Sequence, residues 1–172
     1  MPIKKPELLA PAGNLEKLKT AVLYGADAVY CGGGDYSLRA QAGNFTLSEM
    51  AEGVKFAHTN GAKVYAAVNI YAQNKHLVNL PAYLQELADV GIDGFIVADP
   101  GIFSLAQKYT PHLPLHISTQ ANTQNTEAVA FWQRAGASRV VLGREASLAD
   151  ITSICQENTL DIEVFVHGAM CM

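Results

Sequence analysis

Tyr24-Gly-Ala-Asp-Ala-Val-Tyr30 sets a grammar that Asn60-Gly-Ala-Lys-Val-Tyr65, Val90-Gly-Ile-Asp-Gly-Phe-Ile96 and Ala135-Gly-Ala-Ser-Arg-Val-Val141 repeat. Each copy has a glycine, then a small or apolar residue, then a polar one, then an apolar run. A helix that ends on such a glycine is capped, because glycine enters the left-handed region without a Cβ penalty. The short apolar run behind it reads as a buried strand. The four copies therefore mark four helix-to-strand transitions. Their glycines stand at 25, 61, 91 and 136, so the gaps are 36, 30 and 45 residues. The widest gap holds one more strand, Leu115–Thr119.

Outward from these copies, strands are expected near Glu7–Ala10, Ala28–Cys31, Lys63–Asn69, Gly94–Ala98, Leu115–Thr119, Arg139–Leu142 and Ile162–Val166. Amphipathic helices fill the spaces. Leu15, Leu18, Val22 and Leu23 share one helical face, as do Tyr83, Leu84, Leu87 and Val90. Asn14 and Ser147 suit helix N-caps, Ser48 opens a helix-compatible run to His58, and Pro81 fits a first turn, where its missing N–H costs little. Seven strands alternating with six helices predict an α/β protein with a parallel sheet. Units of this length suit a (β/α)8 TIM-like barrel, which needs about 250 residues. Residues 1–172 would then be the N-terminal part of a single barrel domain, left open. An open doubly wound sheet is the alternative. In either, ligands bind at the carboxyl ends of the strands. Open sheet edges would favour a homo-oligomer.

Hydrophobic residues make up 49% of the 172 and charged residues 16%, a globular composition. The net charge of −4 argues against an extended basic face, so phosphate contacts to any nucleic acid would come largely from elsewhere. No stretch approaches the ~18 apolar residues of a membrane span, and the first residues do not read as a signal peptide. Cys31, Cys155 and Cys171 are odd in number and far apart, which fits a reducing cytoplasm better than a disulfide framework.

The expected strand ends collect polar groups. They are Ala10-Pro-Ala-Gly13, Cys31-Gly-Gly-Gly34, Asn69, Asp99, Ser118-Thr-Gln120, Gly143-Arg-Glu145 and His167-Gly168. The triple glycine could admit an anion to backbone amides, but it lacks the spacing of a nucleotide loop. Arg39 sits in the long loop that follows and could clamp a carboxylate or phosphate. Asp99, before Pro100, fits either a helix N-cap or a catalytic carboxylate. Ser118, Thr119 and Gln120 suit the orientation of a polar ligand. Arg144 and Glu145 are neighbours, so in extended chain only one faces the mouth. His167 is the strand-end group that titrates near neutrality. His58, His76, His112 and His116 show no zinc spacing, and no Gly-x-Ser-x-Gly elbow occurs.

Taken together, Glu7-Leu-Leu-Ala-Pro-Ala-Gly13, Gly25-Ala-Asp-Ala-Val-Tyr30, Arg39 with Asn44-Phe45, Ser118-Thr-Gln120, Gly143-Arg-Glu145 and His167-Gly-Ala-Met-Cys171 resemble the collagenase-like peptidase family U32. Its better-understood members are RNA- and quinone-hydroxylation proteins. The resemblance runs from end to end in the family's order, and its tRNA branch is the nearest. It implies 5-hydroxylation of a wobble uridine in tRNA, with prephenate as a co-substrate. It also implies a [4Fe–4S] cluster in the complete protein, for which Cys171 occupies the first ligand position. Such clusters take four cysteines, and Cys31 and Cys155 do not match the remaining positions. On this reading Arg39, Arg144 and Gln120 would hold an anionic donor or the target base. Asn69 and Asp99 would position it, with Glu145 beside them and His167 donating protons. A collagenase-like peptidase and a non-catalytic barrel fragment that binds a partner are the competing readings.

Overall fold

The computed structural model describes residues 5–38 and 45–167. Seven strands form one parallel sheet in strict chain order. They are β1 (Leu9–Pro11), β2 (Ala28–Gly32), β3 (Lys63–Val68), β4 (Gly94–Val97), β5 (Leu115–Ile117), β6 (Arg139–Val141) and β7 (Asp161–Glu163). The helices are α1 (Leu15–Leu23), α2 (Leu47–Thr59), α3 (Asn74–Leu77), α4 (Leu80–Val90), α5 (Pro100–Tyr109), α6 (Thr126–Ala135) and α7 (Leu148–Glu157). The expected transitions are present: Gly25, Gly61, Gly91 and Gly136 all take positive φ, from 75° to 99°, just past a helix.

The helix starts are chemically explicit. Asn14 accepts from the Lys17 amide at 2.9 Å, and Ser147 and Asp150 form a reciprocal capping box, as do Thr46 and Glu49. Each satisfies amides that the first turn would otherwise leave unpaired. Pro81 lies in the first turn of α4.

The sheet has two faces of different character. On the outer face Val29, Val64, Phe95, Leu115 and Val140 pack with Leu18, Met50, Leu84, Ile102, Val129 and Ile154 of the helices in one large core. On the inner face Ala28, Tyr65 and Ile96 form a small cluster with Leu9 and Tyr30. The alternation of side chains along each strand produces this division. Register then places Ala67, Ile96, His116 and Arg139 in one row across β3 to β6 on the inner face.

That inner face is curled. Glu7, two residues ahead of β1, accepts a hydrogen bond from Arg139 of β6 at 2.7 Å. In a flat sheet β1 and β6 would lie roughly 24 Å apart, at about 4.8 Å per strand. No Glu and Arg side chains bridge that distance. Sequential strand order and this bridge select the curled, TIM-like half-barrel over the doubly wound alternative.

Three details differ from the sequence reading. Asn74–Leu77 forms an extra one-turn helix, so helices number seven among the described residues. β7 ends at Glu163, and the following Val164 and Val166 are exposed. Leu23 faces solvent, because Val22 beside it takes the inward position.

Candidate active site

At the carboxyl ends of the strands, the residues after β3, β5 and β6 are stitched together. Asn69 follows β3 and is buried; its Oδ1 accepts from the Leu38 amide and its Nδ2 donates to Gln120 Oε1, both at 3.2 Å. Ser118 follows β5 and starts a short 3-10 turn, Thr119–Ala121. Its hydroxyl also donates to Gln120 Oε1. Thr119 Oγ1 donates to the Leu142 carbonyl at the end of β6, at 3.3 Å. Tyr71 donates to the Gln120 carbonyl at 3.4 Å. A single glutamine thus receives donors from two strand ends, which holds that amide in one orientation.

Asn69, Ser118, Thr119 and Gln120 line a small recess of about 40 Å³, open to solvent, with Tyr30, Ala67, Ile96, Val141, Glu163 and Phe165 completing its walls. Among the described residues its polar chemistry is neutral amides and hydroxyls, two aromatic rings and one carboxylate. Arg144 lays its guanidinium 4.2 Å from the centroid of Phe165, one of the wall residues. Glu145 is exposed, and its Oε2 accepts from Gln124 Nε2 at 3.5 Å. Arg144 and Glu145 lie in a turn rather than in the extended chain expected, and their side chains go to different partners, Phe165 and Gln124. Asp99 caps α5, its Oδ1 accepting from Gly101 at 2.8 Å and Ile102 at 3.0 Å. His167 is exposed, four residues past β7. Arg39 and Cys171 lie outside the described residues.

A larger recess of about 330 Å³ lies elsewhere, walled by Gly33, Gly34, Phe45, Met50, Tyr83 and Leu87. Among the described residues its lining is largely apolar and includes no carboxylate or imidazole. Gly33 there lies against Tyr83, whose hydroxyl donates to the Gly33 carbonyl at 2.6 Å. A Cβ on Gly33 would come within 2.8 Å of that hydroxyl. Close packing thus accounts for this glycine without an anion.

The family model for peptidase family U32 matches residues 13–172. The chain belongs to peptidase family U32. This U32 chain is 52% identical over 169 residues to tRNA hydroxylation protein P1 of Bacillus subtilis (strain 168), covering 98% of the chain and 40% of that protein. It is 44% identical to tRNA hydroxylation protein P of Escherichia coli (strain K12), covering 98% of the chain and 37% of that protein. The chain thus spans about two fifths of the length of these curated relatives. Among solved structures, the U32 peptidase Mk0906 superposes with a TM-score of 0.73 at 20% identity, covering 94% of this chain and 70% of that one. That likeness supports the half-barrel fold.

The described cysteines of the U32 chain do not fit an iron–sulfur cluster. Cys31 points into the helix–sheet core, 3.2 Å from Met50 Sδ, and burial pushes its thiol up to about 12. Cys155 lies on the outer side of α7. Among the described residues no three His, Cys, Asp or Glu side chains gather as metal ligands would. Nor is any helix of the described residues long and apolar enough to cross a membrane.

Sequence reasoning passed over three wall residues, Tyr30, Glu163 and Phe165. Parity puts Glu163 and Phe165, four and two residues before His167, on one face of the expected strand, but it does not say which face turns inward.

Proposed function

We propose that the complete U32 protein hydroxylates tRNA at C5 of a wobble uridine, and that this chain is the N-terminal part of its barrel domain. The observation that carries the reading is the make-up of the mouth. Enzymes that act on a base take it out of its stack and hold it by hydrogen bonds to its edge and by aromatic contact. Asn69, Ser118, Thr119 and Gln120 beside Tyr30 and Phe165 supply both kinds of contact in one recess. The names of the relatives point the same way. Arg144, with Arg39, binds an anionic donor such as prephenate. Gln120 and Asn69 orient the base and His167 donates a proton, while Asp99 serves as the cap of α5.

In the complete protein Cys171 is one ligand of a [4Fe–4S] cluster, with the remaining ligands supplied beyond Met172. Sheet edges β1 and β7 favour self-association, and the protein works in the cytoplasm.

Nucleoside mass spectrometry of bulk tRNA from cells lacking the gene tests the function. Loss of hydroxylated uridine, restored by the complete gene and not by residues 1–172, is expected. An unchanged profile overturns the reading, and gelatin cleavage by the complete protein would then support the peptidase alternative.

A further inference from the structure

Glu163 has no part in the reading above, yet among the described residues it is the only carboxylate lining the mouth recess. It closes β7, level with its register partner Val141 of β6 and two residues before Phe165. Arg139 of β6 lies beneath it, with Nη1 3.4 Å from Glu163 Oε2. Burial pushes the Glu163 carboxyl above the usual range, and the charge and hydrogen bond of Arg139 oppose that rise. An ionised carboxylate accepts at about four lone-pair sites and donates at none. A single contact with Arg139 leaves capacity for a donor arriving from the recess. The same recess offers the rings of Tyr30 and Phe165, faces on which a flat heterocycle can stack.

The ligand class follows from that donor requirement. A flat ring that presents an N–H on its edge is attracted by a carboxylate. One that presents a bare ring nitrogen is repelled, since two acceptors then face each other. At N3 itself uracil is of the first kind and cytosine of the second; cytosine's N4 amino group can donate to a carboxylate, but a carboxylate set against N3 faces its lone pair. We propose that Glu163 is a specificity-determining residue of the U32 mouth: its carboxylate accepts the N3–H of a uracil-type base and rejects cytosine. This rests on the RNA-hydroxylation reading and adds to it the group that selects the base. It needs no covalent step. Arg139 acts only through Glu163, as a positioning residue that holds the carboxylate in place.

The test uses the complete, cluster-loaded protein and three anticodon stem-loops that differ only at the target position: uridine, N3-methyluridine and cytidine. Equilibrium binding is measured at one fixed salt concentration, since phosphate contacts vary with salt. The wild type is expected to bind the uridine loop roughly tenfold or more tighter than either other loop, the scale of one charge-assisted hydrogen bond. Glu163→Gln is expected to bind the uridine and cytidine loops almost equally, because an amide can turn to accept from one or donate to the other. Equal wild-type affinity for uridine and N3-methyluridine loops overturns the proposal, whether or not the variant folds. So does a Glu163→Gln protein with a normal melting profile that still prefers uridine. A wild type that binds none of the loops, together with an unchanged nucleoside profile in the deletion strain, overturns the functional reading and this proposal together.

Discussion

Arg139 of β6 and Glu7 ahead of β1 meet at 2.7 Å across the inside of the curled sheet, 132 residues apart in sequence. Lys63 lies 3.4 Å from the same Glu7 carboxylate, and the Tyr65 hydroxyl donates to it at 3.1 Å. Burial alone would raise the Glu7 carboxyl, but Arg139, Lys63 and Tyr65 together bring it below the usual range. Side chains of Arg139 and Glu7 are 13% and 22% exposed, so the pair is largely out of water. Breaking such a pair from one side strands a charge and costs about 3–5 kcal/mol, whereas replacing both partners with apolar groups costs much less. Arg139→Leu should therefore lower the urea midpoint steeply, and Glu7→Leu/Arg139→Leu should recover much of the loss. A double variant no more stable than the single one would show that the pair is not what closes the sheet.

The imidazole of His116 lies on the inner face, 4% exposed, edge-on to Tyr65 with ring centroids 4.6 Å apart. Its Nδ1 has no hydrogen-bond partner among the described residues. Burial, aided by the positive charge of Arg139, lowers its pKa from 6.5 to about 3. Between those values the unfolded chain binds a proton that the folded chain refuses. Stability must then fall as pH drops through that window, by up to about 1.4 kcal/mol per pH unit. His116→Phe should flatten the denaturation midpoint between pH 6 and pH 4, and an unchanged slope would refute the assignment.

The thiols of Cys31 and Cys155 should separate in a labelling experiment. Cys155 is exposed, whereas Cys31 is 2% exposed with its thiolate suppressed. A thiol reagent that needs the thiolate should modify Cys155 in the native protein and reach Cys31 only on unfolding. Peptide mass mapping reads both sites, and rapid native modification of Cys31 would contradict the packing.

Asp99 and Asn69 should part company when each is changed to alanine in the complete protein. Asp99 satisfies two amides at the start of α5, so its loss should cost about 1 kcal/mol of stability and leave tRNA hydroxylation within a few-fold of wild type. Asn69 ties the Leu38 amide to Gln120, so its loss should lower hydroxylation by roughly tenfold or more, because mispositioning of a reacting group is costly in rate. Thermal melts and nucleoside analysis distinguish the two. A hundredfold loss of activity in Asp99→Ala would make its carboxylate a participant in the reaction.

Cys171 can be tested by colour. Cys171→Ser in the complete protein should abolish the visible absorbance of an iron–sulfur cluster, and retained absorbance would remove it from the ligand set.

The order of strands and helices was legible in the chain because its signals are local. A glycine past a helix, a capping side chain and an apolar run each act within a few residues, and the repeat of 24–30 at three later positions marked four of the helix-to-strand transitions. The strand ends were legible for the same reason, and with them Asn69, Ser118, Thr119, Gln120 and Arg144. Tertiary structure decided which face of each strand turns inward and that the sheet curls. In Asp161-Ile-Glu-Val-Phe-Val both faces carry apolar residues, so alternation alone does not say that Glu163 and Phe165 look into the recess. Only when strands from β1 to β7 wrap round do Glu7, Tyr65, His116 and Arg139 share one interior. Each of these is an ordinary polar residue in its own segment. Their contacts are made across more than fifty residues of sequence, a distance at which no local preference acts.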